Sequence, residues 1–240
     1  EDTRITKKLL NFINCEKRCI SFHEHNEDKI SLDIINKIKK NKCVSIVSDA
    51  GTPTISDPGY KLIKECIKQS INYTLIPGPS SIVNAIVMSG LPTDKFSFFG
   101  FMPKKDHEQK VFFENLKSDT KTSIFFESPK RVEKTISNLI KSIGSDRMIA
   151  ICREMTKLHE EIIRGSLKDV LESIETNKVV LRGEIVLVIA GSQKNQTDFS
   201  FNLKVKNEFL KKLSASDAAK LISLITGQNK RDIYKYLIES

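Results

Sequence analysis

The segment from Ser48 to Gly59 constrains the fold most, because it joins a strand pattern to a helix pattern through a loop of glycine, proline and aspartate. The preceding run Cys43–Val47 is short and mostly apolar, which is typical of a strand covered on both faces. From Tyr60 onward the apolar residues recur at helical spacing, and Asp57 followed by Pro58 predicts the helix start. Open parallel sheets bind ligands outside the carboxyl ends of their strands, so this loop predicts one wall of a ligand site.

Two series of alternating strand and helix patterns follow one another along the chain. In the first series, strands are predicted at 18–22, 43–47 and 73–76, and helices at 5–12, 31–40, 59–69 and 80–88. In the second series, strands are predicted at 96–101, 123–126, 148–152 and 186–190, and helices at 108–116, 130–143 and 167–175. The alternation predicts an α/β fold, and the first series predicts a largely parallel sheet.

We expect the 240 residues to form two α/β domains and a small helical C-terminal module. The break between the two series places an N-terminal domain over 1–92 and a second domain over 93–191. The polar stretch 192–204 lacks periodicity and predicts a linker, and 205–240 predicts a basic helical module. Within this module helices are predicted at 217–225 and 230–238, with Ser214 or Ser216 capping the first helix and Gly227 ending it.

Composition narrows the class of protein only slightly. The formal net charge of +9 favours a polyanionic partner, although a compositional bias of the genome explains it equally well. The five cysteines are odd in number and irregularly spaced, which indicates reduced thiols and a cytoplasmic protein. Apolar runs stay shorter than a membrane span, so a membrane partner is not expected.

A second loop, Pro77–Ser80, also lies between a strand pattern and an apolar helix pattern. Gly78 permits close backbone approach, and Ser80 offers a hydroxyl and helix-terminal amides to a ligand. Taken alone, the loop is better explained by simple turn formation. Neither loop contains the Gly-Lys-Ser/Thr of a nucleoside triphosphate site or the Gly-x-Gly-x-x-Gly of a dinucleotide fold. The sequence therefore disfavours both a nucleoside triphosphate site and a dinucleotide site.

Short motifs occur in a fixed order along nearly the whole chain. They are Glu1–Arg4, His25–Glu27, Ser48–Pro53, Ser56–Gly59, Pro77–Ser80, Phe126–Ser128, Arg153–Lys157, Gly183–Gly191 and Asn229–Tyr236. In this order they resemble the ribosomal RNA methyltransferases of the tetrapyrrole methylase superfamily, the branch that methylates ribose 2′-oxygens of small-subunit RNA.

The resemblance implies two α/β domains of the class III methyltransferase type, with S-adenosylmethionine in the cleft between them, and a homodimer. It implies as substrate a cytidine ribose, cytidine 1402, in the decoding region of 16S rRNA in the 30S ribosomal subunit. Members of this family carry an opening strand and a Pro-Ile-Gly-Asn-Leu loop ahead of the Glu-Asp-Thr-Arg motif. We therefore expect the N-terminal domain to lack its first strand and loop and the chain to be a fragment.

With S-adenosylmethionine as the implied cofactor, the two loops and two further motifs become its expected binding site. The expected cofactor-binding residues are Asp49, Ala50, Gly51, Thr52, Pro53, Ser56, Pro77, Gly78, Pro79, Ser80, Glu127, Gly183 and Glu184. Asp49 is suited to accept hydrogen bonds from ribose hydroxyls or from the ammonium group; the alternative is that it only satisfies its own turn.

Transfer to a hydroxyl also requires a group that accepts the proton. The candidate catalytic residues are His25, Glu1 and Asp2, which lie at predicted strand ends on the same edge as the Ser48–Gly59 loop. A histidine suits this role because its pKa lies near neutral pH, although a histidine beside an asparagine is more often a structural group or an RNA contact.

Five basic residues are candidate RNA contacts. Arg4, Arg153 and Lys157 are suited to phosphate oxygens around the target ribose, and Lys230 and Arg231 belong to the basic C-terminal module. For the first three, surface ion pairing is an equally weighted alternative.

The spacing of Cys15, Cys19, His23 and His25 superficially resembles a metal cluster. Tetrahedral closure would require a sharp reversal of the strand predicted there, so no metal site is expected. Two other functions remain open: a tetrapyrrole C-methyltransferase acting on a carboxylated macrocycle, and a non-catalytic RNA-binding protein of ribosome assembly.

Overall fold

The computed structural model describes residues 2–193, 203–226 and 229–238, and its contacts divide the chain into two units, 1–192 and 193–240. The predicted boundary near residue 92 stays a prediction. The elements of the first unit are α1 (Thr3–Phe12), α2 (Glu27–Lys39), α3 (Tyr60–Lys68), α4 (Ser81–Ser89), β1 (Phe96–Phe101), α5 (Asp106–Ser118), β2 (Thr122–Glu127), α6 (Pro129–Ile143), β3 (Met148–Arg153), β4 (Glu161–Ser166), α7 (Leu167–Glu175) and β5 (Ile185–Ile189).

The five strands form one mixed sheet in the order β1-β2-β5-β3-β4. β1 and β2 are parallel, whereas β5 runs antiparallel to both of its neighbours, β2 and β3, and β4 runs antiparallel to β3. Strand side chains alternate between the two faces, and both faces are apolar, as the continuous run Ile185–Ile189 indicates. The α/β class is therefore confirmed.

Helices cover both faces of this sheet. On one face α5, α6 and α7 bury the larger core, which includes Phe125, Ile151 and Leu187. On the other face α4 packs through Ala85 and Ile86 against a core that includes Ala150, Cys152 and Val188. Because α4 directly follows the Pro77–Ser80 loop, its packing fixes that loop relative to the strand ends.

The three strands predicted in the first series, 18–22, 43–47 and 73–76, are not strands in the structure. These segments are irregular, and exposed side chains such as Val47 and Ile76 show that no neighbouring strand covers them. An apolar run predicts an extended conformation, but a strand also needs a partner for its backbone hydrogen bonds. The described residues before Phe96 supply none, so the expected parallel sheet is wrong there. The segment 18–22 contributes Phe22 to a small core with α2 and α3.

The start of α3 also differs from the prediction. The helix begins at Tyr60 and its N-cap is Gly59, with φ 132°, rather than Asp57 with Pro58 as the first helical residue. The missing side-chain cap comes from a distant residue: the buried carboxylate of Glu27 accepts hydrogen bonds from the backbone N–H of Gly59 at 2.9 Å and of Lys61 at 3.1 Å. A carboxylate at a helix N-terminus satisfies free N–H groups and complements the helix dipole.

Replacing Glu27 with alanine should therefore lower the free energy of unfolding by about 1–3 kcal/mol, because the buried N–H of Gly59 and the part-buried N–H of Lys61 lose a charged acceptor. Equilibrium urea denaturation measures this change. The neighbouring Asp28 makes only an exposed ion pair with Lys61, so Asp28→Ala serves as the control and should cost less than about 1 kcal/mol. Equal effects of the two variants would show that Glu27 does not cap α3.

The second unit contains three described helices, α8 (Leu203–Lys212), α9 (Ala215–Thr226) and α10 (Lys230–Ile238). Ala218, Ile222, Ile233 and Leu237 form its core. Ser214 caps α9, as predicted, because its hydroxyl accepts a hydrogen bond from the Asp217 N–H at 3.2 Å. Gly227 lies outside the described residues. Helices long and apolar enough to cross a bilayer are absent from the described parts of both units.

Candidate functional site

A cavity of about 290 Å³ opens at the carboxyl ends of β1, β2 and β3, the edge at which ligands of open α/β sheets bind. It lies wholly within the first unit. The residues that line it are Asp49, Ala50, Gly51, Thr52, Ile55, Ser56, Asp57, Ser80, Ser81, Ile82, Phe101, Phe126, Glu127, Ser128, Pro129, Met155, Thr156, Lys157, Gly183, Glu184, Ile185 and Val186.

The loop after Ser48 forms one wall of this cavity. The Ser48 hydroxyl donates to the carbonyl oxygens of Ala50 at 3.0 Å and Gly51 at 3.2 Å, which holds the turn in shape. The Asp49 carboxylate reaches out of the loop and accepts a hydrogen bond from the backbone N–H of Asp2, at 3.1 and 3.2 Å from its two oxygens. Asp49 therefore joins the start of α1 to the cavity wall.

The two loops predicted to share one edge do meet. The Thr52 hydroxyl donates to the Pro79 carbonyl at 3.4 Å, and the Ser80 side chain caps α4 by accepting from the Val83 N–H at 3.5 Å. Of the second loop, Ser80 lines the cavity, whereas Pro77, Gly78 and Pro79 are not among its lining residues. Of the first loop, Pro53 is likewise not among them.

Glu127 lies on the cavity side of β2, but the protein already uses both oxygens of its buried carboxylate. One oxygen accepts from the Ser128 N–H at 2.7 Å and lies 3.4 Å from the Arg131 guanidinium; the other accepts from the Thr135 hydroxyl at 2.8 Å. A ligand contact at Glu127 would compete with these bonds, which tie the end of β2 to the first turns of α6.

A charged cluster forms the opposite wall. Glu154, in the left-handed region with φ 48°, accepts hydrogen bonds from the Glu184 N–H at 2.7 Å and from the Lys157 ammonium at 3.0 Å. Lys157 also lies 3.1 Å from the Glu184 carboxylate. Gly183 has φ 75°, and a Cβ there would lie 2.3 Å from the Glu154 carboxylate. The missing side chain of Gly183 thus leaves the space that the Glu154 carboxylate occupies.

This cluster predicts a pH dependence of stability. The Glu184 N–H and the Lys157 ammonium lower the pKa of Glu154 below its ordinary value of 4.5, so its contribution to stability is present above that value and is lost as the pH falls through the lowered pKa. For Lys157, burial opposes the charged form, but the hydrogen bonds to Glu154 and Glu184 outweigh it and raise the pKa. Its contribution is present below the ordinary value of 10.5 and is lost as the pH rises through the raised pKa.

Glu154→Gln should therefore destabilise the chain at pH 7 and make less difference at a pH below the lowered pKa of Glu154, where this carboxyl group is protonated in both the folded and the unfolded chain. Denaturation midpoints at the two pH values measure this loss. Glu114→Gln, at an exposed position of α5, is the matched control. A difference between wild type and Glu154→Gln that stays constant across this range would contradict the assigned pKa direction.

Of the predicted proton acceptors, Asp2 and His25 are not among the residues that line the cavity. Asp2 caps α1 and binds Arg4 at 2.6 Å; the side-chain and backbone hydrogen bonds from Arg4 lower the pKa of Asp2 to about 2, which makes it a weak base. His25 is exposed, and its ring centroid lies 5.9 Å from that of His23. Glu1 lies outside the described residues.

The predicted RNA contacts are spread over the molecule. The exposed Arg4 pairs with Asp2, and Arg153 pairs with Glu161 at 2.9 Å. Lys157 does line the cavity, where it belongs to the charged cluster. Lys230 and Arg231 are exposed in the first turn of α10.

Sequence reasoning missed the apolar part of the lining. Phe101 and Phe126 come from the ends of adjacent strands, and Met155 and Thr156 come from the turn after β3. The turn is marked in the sequence by the Arg153–Lys157 motif, but the motif does not show that its middle residues face the cavity. Groups of three or more histidine, cysteine, aspartate or glutamate side chains arranged to hold a metal ion are not found among residues 2–193, 203–226 and 229–238.

The fold is that of a class of methylases. The family model described as Tetrapyrrole (Corrin/Porphyrin) Methylases matches residues 2–171. The chain belongs to this family, which confirms the resemblance drawn from its motifs. Membership in a methylase family also supports S-adenosylmethionine as the cofactor.

Among the family, the chain is similar to proteins named Ribosomal RNA small subunit methyltransferase I. It is 35% identical to the protein of Halalkalibacterium halodurans over 98% of this chain and 82% of that one. It is 45% identical to the protein of Hydrogenobaculum sp. over 79% of this chain and 82% of that one.

Solved structures agree on the fold. Diphthine synthase aligns with a TM-score of 0.57 at 15% identity, over 77% of this chain and 73% of that one. The methyltransferase CobJ aligns with a TM-score of 0.55 at 14% identity, over 79% of this chain and 86% of that one. At such identities the likeness concerns the fold alone.

Proposed function

We propose that the chain transfers the methyl group of S-adenosylmethionine to the ribose 2′-hydroxyl of a cytidine in the decoding region of 16S rRNA, acting on the 30S subunit in the cytoplasm. The observation that carries the proposal is its 35–45% identity to proteins named for methylating small-subunit ribosomal RNA. The cavity at the carboxyl edge of the sheet supports it, because the residues there suit this cofactor.

The cavity lining combines the groups that a cationic nucleoside requires. Asp49 and Asp57 present carboxylates on one wall, which favour a sulfonium and an ammonium group. Ile55, Ile82 and Met155 provide apolar surface for an adenosine moiety. Ser80 and Ser81, at the start of α4, present a hydroxyl and helix-terminal N–H groups to a carboxylate.

S-adenosylmethionine supplies an electrophilic methyl group when bound. The chain's own residues therefore need chiefly to position the cofactor and the ribose hydroxyl and to exclude water. Correct orientation of two reacting groups can contribute about 7–11 kcal/mol to lowering the barrier. The Thr52–Pro79 hydrogen bond and the Glu154–Lys157 cluster hold opposite walls of the cavity in place. Because Arg4 lowers the pKa of Asp2 to about 2, Asp2 is a weak base. The role of proton acceptor stays a proposal for His25 and Glu1.

We further propose that the chain acts as a homodimer and that basic residues bind the RNA backbone. The net charge of +9 supports attraction to a polyanion, and exposed Lys230 and Arg231 place charge on the helical unit. Binding through such contacts should weaken steeply as the salt concentration rises, because phosphate contacts release counterions.

A transfer assay tests the proposal. Purified chain is incubated with S-adenosylmethionine labelled on the methyl group and with either undermethylated 30S subunits or a porphyrinogen. We expect label in the RNA and none in the macrocycle. Label in the macrocycle alone would contradict the RNA function and indicate that the chain methylates a tetrapyrrole. Retained RNA binding without heat in a calorimetric titration with S-adenosylmethionine would indicate a non-catalytic binding protein.

A further inference from the structure

The rim of the cavity carries an exposed aromatic side chain that the cofactor site does not explain. Phe101 is the last residue of β1, the edge strand of the sheet, and it lines the cavity while remaining 62% exposed. Accessible aromatic rings of this kind serve as stacking platforms in proteins that bind single-stranded nucleic acids.

A β-bulge in β1 determines which side of the strand this ring lies on. The pairing with β2 shifts between Phe98, opposite Ile124, and Phe101, opposite Phe126, so β1 holds one extra residue. Gly100, at φ 68°, lies inside this bulge. Residues three apart in a regular strand face opposite sides, yet both Phe98 and Phe101 contact the Phe126 ring, with centroids 5.0 and 5.3 Å away. The bulge therefore turns Phe101 to the cavity side of the strand.

The ring of Phe126 supports Phe101 from one side only. The planes of the two rings make an angle of 64°, which is the edge-to-face arrangement that aromatic pairs favour. Since Phe101 stays mostly exposed, much of its surface remains open to solvent at the mouth of the cavity. Phe126 thus supports the ring, and the rest of the ring surface is accessible to a planar ligand.

Basic residues follow directly along the chain. Lys104 and Lys105 are exposed, and Lys105 pairs with Glu108 at 3.0 Å, whereas Lys104 takes part in none of the ion pairs found among the described residues. The backbone that leads to them is held in place, because Met102 is buried and Arg131 donates to the Pro103 carbonyl at 2.6 Å. Lys104 therefore offers a positive charge close in sequence to the ring.

We propose that Phe101 is a stacking site for an unpaired nucleobase of the acceptor RNA, at or beside the methylated nucleotide, with Lys104 binding a neighbouring phosphate. The site rests on the proposed function, since it serves the same cavity. Unstacked bases of single-stranded RNA bind aromatic side chains in this way. The adenine of the methyl donor is the other planar ring in the reaction. The exposure of Phe101 and the positive charge of Lys104, three residues later in the sequence, favour the polyanionic RNA over the methyl donor as the ligand of this ring.

Two variants of Phe101 distinguish an effect of the aromatic ring on RNA binding from an effect of side-chain size. Phe101→Leu keeps an apolar side chain but removes the ring, while Phe101→Tyr keeps the ring. Phe96→Leu is the matched control, because Phe96 is an exposed phenylalanine at the opposite end of the same strand and does not line the cavity. Thermal denaturation should be nearly unchanged in all three, since each substitution is made at an exposed position.

Two ligands then distinguish the acceptor from the donor. Binding of a labelled single-stranded oligocytidine of about ten nucleotides should weaken about 5- to 150-fold in Phe101→Leu and stay within about twofold in Phe101→Tyr and Phe96→Leu. Binding of S-adenosylhomocysteine should weaken much less than oligocytidine binding in Phe101→Leu and should not change in Phe96→Leu. Unchanged oligocytidine binding in Phe101→Leu would overturn the stacking site, and a loss confined to S-adenosylhomocysteine would assign the ring to the donor.

The outcome is separable from that of the proposed function. If wild-type protein transfers no methyl group to 30S subunits but its oligocytidine binding depends on Phe101, the methylation proposal fails and the base site stands. If transfer occurs and neither transfer nor binding depends on Phe101, the base site alone fails.

Discussion

Asp49→Ala is expected to weaken the binding of S-adenosylmethionine by about 10- to 150-fold, the equivalent of one hydrogen bond to a charged group. Asp49 lines the cavity and accepts a hydrogen bond from the Asp2 N–H, so it both belongs to the proposed cofactor site and fixes the wall beside it. Isothermal calorimetry measures the dissociation constant. Methyl transfer at limiting cofactor should fall in parallel.

Two further variants show which property of Asp49 matters. Asp49→Asn keeps an acceptor for the Asp2 N–H but removes the charge, so a loss in both variants indicates a charge effect. Asp33→Ala removes an exposed carboxylate from α2, outside the cavity lining, and should leave binding unchanged. A dissociation constant for Asp49→Ala within about twofold of wild type would remove Asp49 from the cofactor site.

Gly191→Ala is expected to lower the free energy of unfolding by about 1–3 kcal/mol or more, because the new methyl group has no space. A Cβ at Gly191 would lie 2.0 Å from the Thr120 carbonyl oxygen and 2.9 Å from the Lys121 nitrogen. Both are backbone atoms, which cannot move aside as a flexible side chain does. The close approach is made where Ser192 donates its N–H to the Asp119 carbonyl at 2.6 Å, just beyond β5.

Gly78→Ala is the matched control for this prediction, because a Cβ at Gly78 has nothing within 4 Å and its backbone is not left-handed. Its unfolding free energy should stay within about 0.5 kcal/mol of wild type. Chemical denaturation of both variants makes the comparison. If Gly191→Ala is as stable as Gly78→Ala, the close packing at the end of β5 is not present in solution.

Burial on both faces made the central strands predictable. The strands Met148–Arg153 and Ile185–Ile189 contain continuous apolar runs, Ile149–Cys152 and Ile185–Ile189, whose residues alternate between two cores. The predicted ranges 148–152 and 186–190 agree with these strands closely. β4 was missed, because its sequence Glu-Ile-Ile-Arg-Gly-Ser is short and mixed, as suits the opposite edge of the sheet.

Distant contacts explain the errors in the first series. The sequence near Asp57 contains a good local cap, but the carboxylate of Glu27, thirty-two residues away, binds the start of α3 instead. The runs at 43–47 and 73–76 have strand composition, yet pairing is a property of two segments and cannot be read from one. Helix positions were more reliable, since the periodicity that predicts a helix is local.

The candidate site could be predicted where the loop chemistry is visible in the sequence. Most of the loop 49–57 and the pair Gly183 and Glu184 do line one cavity. The neighbouring Glu154 carboxylate was not foreseen, because its role depends on the space left by Gly183 across the turn. Phe101 was missed as well, since only the bulge at Gly100 turns its ring to the cavity.

Mass mapping of ribose methylation in 16S rRNA tests the central claim most directly. Undermethylated 30S subunits are incubated with S-adenosylmethionine and either wild-type chain or Asp49→Ala, and RNA fragments are analysed for an added methyl group on ribose. We expect one cytidine of the decoding region to gain a 2′-O-methyl group with the wild-type chain and to gain far less with Asp49→Ala. Methylation on a base, at another nucleotide, or at the same level with both proteins would contradict the account.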